Sequence, residues 1–421
     1  MNISIIGTGY VGLVSGACFS KFKNNVICVD IDEEKIEKIN NGVSLIYEEG
    51  LDDLLKKYKD NIRASTDYRS SINDTEVTFI CVGTPSNEDG SIDLNYVKES
   101  SKGIGEILKH KNNYHVVVVK STVLPGTTRD IILPILEKYS GKRAGIDFGV
   151  AMNPEFLREG VAVYDFLNPD RIIIGALDKK TNDILRNLYV DFSCSIVETS
   201  LSSAEMIKYA SNCFLATKIS FINEIGNLCK KLDIDTYEVA DGIGLDKRIG
   251  RAFLDSGIGW GGSCFPKDLH ALLACYNENN ENANIIKSSI LVNDLQPLKV
   301  VELLKKHIRY LKGKYIGILG LAFKPDTDDI RYSRAIPIVD ELINEGSILK
   351  VYDPKAMDNF KELYPNLIYC NSAKEVLDAD AVLILTKWDE FKYLDFKGKL
   401  VIDGRNLEEA KTAKKYEGVC W

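Results

Sequence analysis

The side chains best suited to covalent chemistry lie together in the stretch Gly257-Ile258-Gly259-Trp260-Gly261-Gly262-Ser263-Cys264-Phe265-Pro266-Lys267-Asp268. Four glycines within six residues exclude a helix or a strand interior there; they let the backbone approach another group closely or adopt positive φ. Pro266 suits the first turn of a helix, where its missing N–H would be unpaired anyway, and Asp268 to Ala274 continue with good helix formers. Cys264 is therefore expected just ahead of a helix N-terminus, where the backbone dipole favours a thiolate. Lys267 adds a cation, and Asp268 puts a carboxylate four residues from the sulfur. An activated nucleophile with an acid–base partner has this layout. The alternative is a glycine-rich loop around an inert buried cysteine.

The elements that must position this stretch start at the N-terminus. Ile3 to Ile6 reads as a short buried strand, Gly7-Thr8-Gly9-Tyr10-Val11-Gly12 as a turn, Leu13 to Phe22 as a helix and Val26 to Asp30 as a second strand. This is G-x-G-x-x-G between strand and helix, with an acid 18 residues after the last glycine. Gly7, Gly9 and Gly12 permit the tight turn and a close approach to a pyrophosphate resting on the helix N-terminus. Asp30 would bond the adenosine ribose hydroxyls and repel a 2′-phosphate, which favours NAD over NADP. Tyr10, Val11 and Lys35 are counted with the turn as cofactor contacts. Further strands at 77–82, 116–119 and 148–152 continue a βα pattern. Thr84 and Thr122 follow two of these strand ends and are candidates to touch the cofactor. Asn153-Pro154-Glu155-Phe156-Leu157-Arg158-Glu159-Gly160 follows the third, either as a solvated turn or as part of a site.

Leu201 to Leu232 reads as one long helix, with Ser202-Ser203-Ala204-Glu205 as a capping box. Met206, Ala210, Cys213, Phe214, Phe221, Ile225 and Leu228 form an apolar stripe that could serve as a dimer surface. Glu205, Lys208 and Asn212 share another face. A lysine and an amide one turn apart could grip a hydroxyl or a developing oxyanion; otherwise this is a solvated helix face. From Lys312 a second β–Gly–α–β unit starts, with 315–324 as strand plus glycine turn and further strand stretches at 348–353, 381–386 and 400–406. Its glycine pattern is incomplete, so its ligand is expected to be a nucleotide other than a dinucleotide. The fold class expected is α/β, two Rossmann-like doubly wound domains joined by a long central helix. The boundaries read as 1–200, 201–311 and 312–421.

The 421 residues suit two or three domains, and a composition 45% apolar and 27% charged is that of a soluble globular chain. A net charge of −8 argues against general nucleic-acid binding. The ten cysteines include no C-x-x-C, and Cys18, Cys28, Cys81 and Cys213 lie in apolar runs, which suggests core packing over disulfides or zinc. The four histidines form no metal-spaced cluster, so no metal is expected, and His270 is read as a helix-surface residue. No basic leader precedes Ile3 and no stretch is long and apolar enough to span a bilayer; a cytoplasmic protein is expected. A thiol beside a dinucleotide suggests oxidation beyond a single hydride transfer.

With these residues assembled, the chain resembles the UDP-glucose/GDP-mannose dehydrogenase family. The markers are G-T-G-Y-V-G-L at 7–13, V-G-T-P at 82–85, S-T-V at 121–123, N-P-E-F-L-R-E-G at 153–160, K-Y-A-S-N from Lys208, G-W-G-G-S-C-F-P-K-D at 259–268, G-L-A-F-K at 320–324 and D-G-R-N at 403–406. The resemblance implies four-electron oxidation of UDP-glucose to UDP-glucuronate through a thiohemiacetal and a thioester on Cys264, with NAD as cofactor and two NADH released. It makes Cys264 the nucleophile. Asp268 and Lys208 would position a water or take the alcohol proton, and Lys208 with Asn212 would stabilise oxyanions. Glu155 would be the base for thioester hydrolysis, with Thr122 holding water. Phe156, Leu157, Arg248 and Phe253 resemble nucleotide-sugar contacts, Arg248 across a subunit interface. So do Gly261, Phe323, Lys324 and Arg405, alongside Glu155, Lys208 and Asn212. Arg331 resembles a cofactor contact. A homodimer or higher homo-oligomer and a place in polysaccharide biosynthesis are also implied. One departure is S-T-V-L-P-G from Ser121, where the family pattern is S-T-V-P-V-G. The competing readings are an enzyme of the same family acting on GDP-mannose or a UDP-N-acetylhexosamine, a single-hydride 3-hydroxyacid-type dehydrogenase, and a non-catalytic nucleotide-sugar sensor.

Overall fold

The computed structural model describes residues 1–44 and 46–421, which divide into two compact units, Met1–Ala210 and Ser211–Trp421. The first unit is built on an eight-stranded sheet: β1 (Asn2–Ile6), β2 (Asn25–Val29), β3 (Ile62–Ser65), β4 (Val77–Ile80), β5 (Val116–Val119), β6 (Gly149–Met152), β7 (Arg171–Ala176) and β8 (Ser195–Thr199). Their order is β3-β2-β1-β4-β5-β6-β7-β8, parallel except where β7 meets β6. Strands β4, β5 and β6 are buried along their whole length, which is why they read as unbroken apolar runs and not as alternation. Strands β3, β7 and β8 escaped the sequence reading; β3 alternates over only four residues and β8 is largely exposed.

The second unit carries a six-stranded parallel sheet: β9 (Tyr315–Leu319), β10 (Ile348–Tyr352), β11 (Ile368–Tyr369), β12 (Ala381–Ile384), β13 (Leu400–Asp403) and β14 (Lys415–Gly418). Its order, β11-β10-β9-β12-β13-β14, repeats that of the first six strands of the other unit. Both sheets thus have the doubly wound order, with the crevice beyond the strand C-termini available to a ligand.

A helix spanning Leu201–Lys231 runs from the first unit into the second. Its cap differs from the one expected. Ser200 Oγ accepts from Ser203 N at 3.1 Å, so the capping side chain precedes Leu201. Glu205, read as the acid of a capping box, turns instead to the loop after β5 and accepts from Gly126 N at 2.6 Å and Thr128 N at 2.7 Å. Glu205, Lys208 and Asn212 are all buried, so their shared face is an interior one. The apolar stripe holds for Met206, Ala210, Phe214, Phe221 and Leu228, which are exposed; Cys213 is buried and Ile225 packs against Ile222 and Ala240. Among the described residues no helix is long and apolar enough to cross a membrane. Seven of the ten cysteines, including Cys18, Cys28, Cys81 and Cys213, are buried.

Candidate active site

In the first unit β1 delivers the chain to Gly7, whose φ of +94° turns it toward the helix Tyr10–Lys21. A Cβ at Gly12 would collide with the Gly7 carbonyl, so this glycine lets helix and turn pack closely. A Cβ at Gly9 would meet nothing within 4 Å. The missing side chain at Gly9 therefore clears a space the protein does not fill, at a helix N-terminus, which is how a pyrophosphate is admitted. Asp30, just after β2, holds this turn: its Oδ2 accepts from Thr8 N (2.8 Å) and Thr8 Oγ1 (2.6 Å). Lys35 Nζ stands 3.8 Å from the same oxygen. Burial pushes the Asp30 carboxyl up, but the Thr8 bonds, the Asp32 N–H and Lys35 outweigh it and hold it below the usual carboxylate range. At the ends of β4 and β5, Thr84 Oγ1 donates to the Thr122 carbonyl at 3.0 Å. The displaced proline closes a local turn: Thr127 N donates to Leu124 O at 3.0 Å, Pro125 precedes Gly126, and Gly126 has φ +95°, the pattern of a type II turn.

Past β6 the chain enters Asn153–Gly160. Glu155 is buried; its Oε1 accepts from Lys208 Nζ at 2.8 Å and its Oε2 from Leu157 N at 2.5 Å. Burial raises the carboxyl, yet the Lys208 charge and bond, the Leu157 N–H and Lys120 together hold it below its ordinary value, so the carboxylate is ionised at neutral pH. Lys208 Nζ also lies 5.4 Å from the centre of the Phe156 ring. Behind Glu155, Asn153 Oδ1 accepts from Lys120 Nζ (3.0 Å) and Tyr189 Oη (2.5 Å), and Asn153 Nδ2 donates to Ile173 O (2.8 Å). Burial pulls the Lys120 ammonium down to about 8. Glu48 joins this segment to the cofactor turn. It accepts from Tyr10 Oη, from Gly160 N at 2.8 Å and from Ala162 N, so it caps the helix Ala162–Leu167 while holding the first residue of the helix after Gly9.

In the second unit Cys264 immediately precedes the helix Phe265–Glu278, with Pro266 in its first turn. Asp268 is buried and accepts from Lys267 Nζ and from Asn212 Nδ2, both at 2.6 Å. Lys267 is thus engaged by a carboxylate, and His270 is exposed. Gly262 has φ +85°, and a Cβ there would come within 2.7 Å of the Phe323 ring. Gly262 N donates to Arg331 O at 2.9 Å, a Cβ at Gly261 would meet Tyr332 O, and Arg405 lies 3.4 Å from Gly259 O through its Nη1. Burial lowers the Arg405 guanidinium to about 10, still charged at neutral pH. Phe253 approaches Phe265 with ring centres 6.4 Å apart, and Lys324 Nζ is 5.9 Å from the Phe323 ring centre. Arg248 stands apart: it is exposed and paired with Asp246 at 2.6 Å. Arg331 likewise pairs with Asp329 at 2.7 Å.

Asp353, at the β10 end, occupies the place Asp30 has after β2. It is fully buried and saturated by Leu321 N, Ala322 N, Lys355 N, Ala356 N and Trp388 Nε1, all within 3.1 Å. It has no oxygen left for a ribose, which agrees with the incomplete glycine pattern beside it. Among the described residues no cluster of three His, Cys, Asp or Glu could hold a metal ion. Sequence reasoning missed Glu48, Lys120 and the amides Asn223, Asn293 and Gln296 that hold the glycine loop, and it included Asn153 only as part of the segment 153–160. For the amides the one signal present was a polar residue in or just after an apolar helical run.

Two doubly wound sheets of one strand order, a dinucleotide turn in the first and a thiol at a helix N-terminus in the second, define an NAD-dependent dehydrogenase. Its residues 1–193, 202–295 and 317–410 match, in turn, the NAD binding, central and UDP binding domains of the UDP-glucose/GDP-mannose dehydrogenase family. The chain belongs to that family. It is 45% identical to the UDP-glucose 6-dehydrogenase AglM of Haloferax volcanii, with all of both chains covered. It is 44% identical to the UDP-glucose 6-dehydrogenase TuaD of Bacillus subtilis over 96% of this chain and 89% of that one. A UDP-glucose dehydrogenase structure from Pyrobaculum islandicum superposes with a TM-score of 0.96 at 40% identity, over 100% of this chain and 98% of that one.

Proposed function

We propose that the protein oxidises UDP-glucose to UDP-glucuronate. The observation that carries the reading is end-to-end similarity, at 45% identity, to a protein with that activity. NAD, when bound, accepts the hydride at each of two oxidations. Cys264 is the nucleophile: its thiolate adds to the aldehyde carbon, and the thiohemiacetal loses hydride and proton to become a thioester. Water then cleaves the thioester, returning the thiol and giving a carboxylate. Net, one UDP-glucose, two NAD⁺ and one water yield one UDP-glucuronate, two NADH and three protons. Lys208 and Asp268 take or relay the alcohol proton, and Lys208 with Asn212 steadies the oxyanions. Glu155 is the base for hydrolysis, which suits a carboxylate held in its ionised form, and Thr122 positions the water. Gly7, Gly9, Tyr10, Val11, Gly12, Asp30, Lys35, Thr84 and Thr122 hold NAD, with Arg331 as a further contact. Phe156, Leu157, Phe253, Gly261, Phe323, Lys324 and Arg405 hold the sugar nucleotide. The functional parts are 1–200, 201–311 and 312–421.

The protein works in the cytoplasm as a homodimer or larger homo-oligomer. Phe214, Phe221 and Leu228 stand exposed in one stripe of the long helix and support a second copy as their cover, with the exposed Arg248 reaching across. Its product feeds polysaccharide synthesis. The deciding experiment offers the enzyme UDP-glucose, GDP-mannose and UDP-N-acetylhexosamines in turn and counts NADH per sugar. Two NADH and a uronate from UDP-glucose alone are expected; one NADH with a ketone product, or preference for another sugar, sinks the proposal. Sedimentation at micromolar concentration tests the oligomer, and a monomer there refutes it.

A further inference from the structure

A buried loop must find partners for its peptide groups, and neither helix nor strand supplies them in the segment before Cys264. Side-chain amides supply them instead. Asn293 Oδ1 accepts from Trp260 N at 2.7 Å while Asn293 Nδ2 donates to Trp260 O at 3.0 Å, so one side chain pairs both peptide groups of one residue as a neighbouring strand would. Gln296 Nε2 donates to Gly257 O at 2.8 Å, and Asn223 Oδ1 accepts from Gly257 N at 2.7 Å. All three amides are buried. The loop is shaped to receive Asn293: Gly259 has φ +102°, and a Cβ there would lie 2.5 Å from Asn293 Oδ1. Trp260 is also held at its far end, where Nε1 donates to Ser220 Oγ at 2.9 Å. Between this anchored residue and the helix Phe265–Glu278 lie only Gly261, Gly262, Ser263 and Cys264. Where Trp260 sits therefore governs where the thiol enters the helix N-terminus.

The structure assigns to Asn293 the role of a positioning residue: through the Trp260 peptide groups it fixes the loop that presents the Cys264 thiol, and so sets that thiol's reactivity. This rests on the proposed role of Cys264. Asn293 touches no reacting atom; it acts through the loop.

The test compares Asn293→Ala and Asn293→Asp with Val339→Ala, a truncation in the buried face of the helix Ala335–Asn344. The full chain, without substrate, is treated with iodoacetamide, and modification of Cys264 is followed by peptide mass; kcat, KM and Tm are measured in parallel. A thiol displaced from the helix N-terminus loses reactivity. Asn293→Ala should alkylate at Cys264 at least ~5-fold more slowly. Its kcat should fall ~10- to 100-fold, the scale of an ångström-sized misplacement, with KM for NAD near the wild-type value. Asn293→Asp, which is isosteric and keeps the acceptor for Trp260 N, should fall between and carries the test if Asn293→Ala does not fold. Val339→Ala should lower Tm without slowing alkylation. An unchanged alkylation rate in both Asn293 variants, or an equal slowing in Val339→Ala, overturns the assignment. Alkylation requires no turnover, so full activity of Cys264→Ala would sink the covalent route separately and leave the Asn293 result to be judged alone.

Discussion

Glu155→Gln probes a buried ion pair and the last chemical step together. Glu155 and Lys208 are 7% and 4% exposed at the side chain and 2.8 Å apart. Removing one partner of such a pair leaves the other charge buried, at about 3–5 kcal/mol. Glutamine cannot relieve this, because both Glu155 oxygens are acceptors: one faces Lys208 Nζ and the other Leu157 N. Whichever way the amide sits, its NH₂ meets a donor, and a buried donor left without an acceptor accounts for about 1–3 kcal/mol of that loss. The variant should therefore unfold with about 3–5 kcal/mol less free energy at neutral pH. The sign with pH follows from the lowered carboxyl: the wild-type advantage is fully present above the unfolded value of 4.5 and is lost as pH falls through the lower folded value. Kinetically, loss of a general base slows its step by about 10²–10⁴, or roughly 2.7–5.4 kcal/mol of barrier. Mixing the variant with UDP-glucose and NAD, followed by intact-mass spectrometry, should show the sugar held on Cys264 as a thioester while both NADH of a single turnover still appear. A slow variant without an adduct, or one within ~1 kcal/mol of wild-type stability, would refute the reasoning.

Asp30→Ala should weaken NAD and narrow a preference over NADP of at least ~10-fold in kcat/KM; equal use of both cofactors by the unmodified enzyme would contradict it. His115 is buried, with Nδ1 donating to Thr75 O and Nε2 accepting from Thr78 Oγ1, and burial pulls it down to about 3. Against an unfolded value of 6.5, its contribution is present above that value and shrinks as pH falls, by about 2 kcal/mol between pH 7 and pH 5. His115→Asn should flatten that part of the acid slope in denaturant titrations, and parallel curves for the two proteins would count against it. Gly262→Ala should reduce turnover at least ~10-fold, since the new methyl meets the Phe323 ring at a φ of +85° that alanine resists; near-normal kcat would show that the loop is less constrained than its geometry implies.

What could be read from sequence was whatever local pattern encodes. Parallel strands buried on both faces announce themselves as Val116 to Val119 does, and a dinucleotide turn as Gly7, Gly9 and Gly12 do. Cys264 before Pro266 marks a helix start because proline is tolerated there and glycine is not needed beyond it. Where the partner is distant in sequence, pattern fails. Ser-x-x-Glu at 202–205 satisfies the capping rule, yet Glu205 reaches backbone N–H groups almost eighty residues upstream, which no local rule anticipates. Asn293 carries no local signal of its use, and only the fold shows its amide paired with Trp260. Glu48 lies in a stretch to which the sequence pattern assigned no element. Asp353 resembles Asp30 by position after a strand, and only its filled complement of donors separates their uses.

The cap that Glu48 places on the helix Ala162–Leu167 bears on the order in which the molecule assembles. Six residues are too few for a helix to persist alone, and this one draws its N-terminal acceptor from 114 residues earlier in the chain. Closing so long a loop is slow relative to local structure, so the helix start at Gly160 and Ala162 takes its final form only after residues 46–50 dock. Amide hydrogen exchange at Gly160 and Ala162 should accordingly outpace that of β4 and β5, and Glu48→Gln should speed it further while leaving those strands protected.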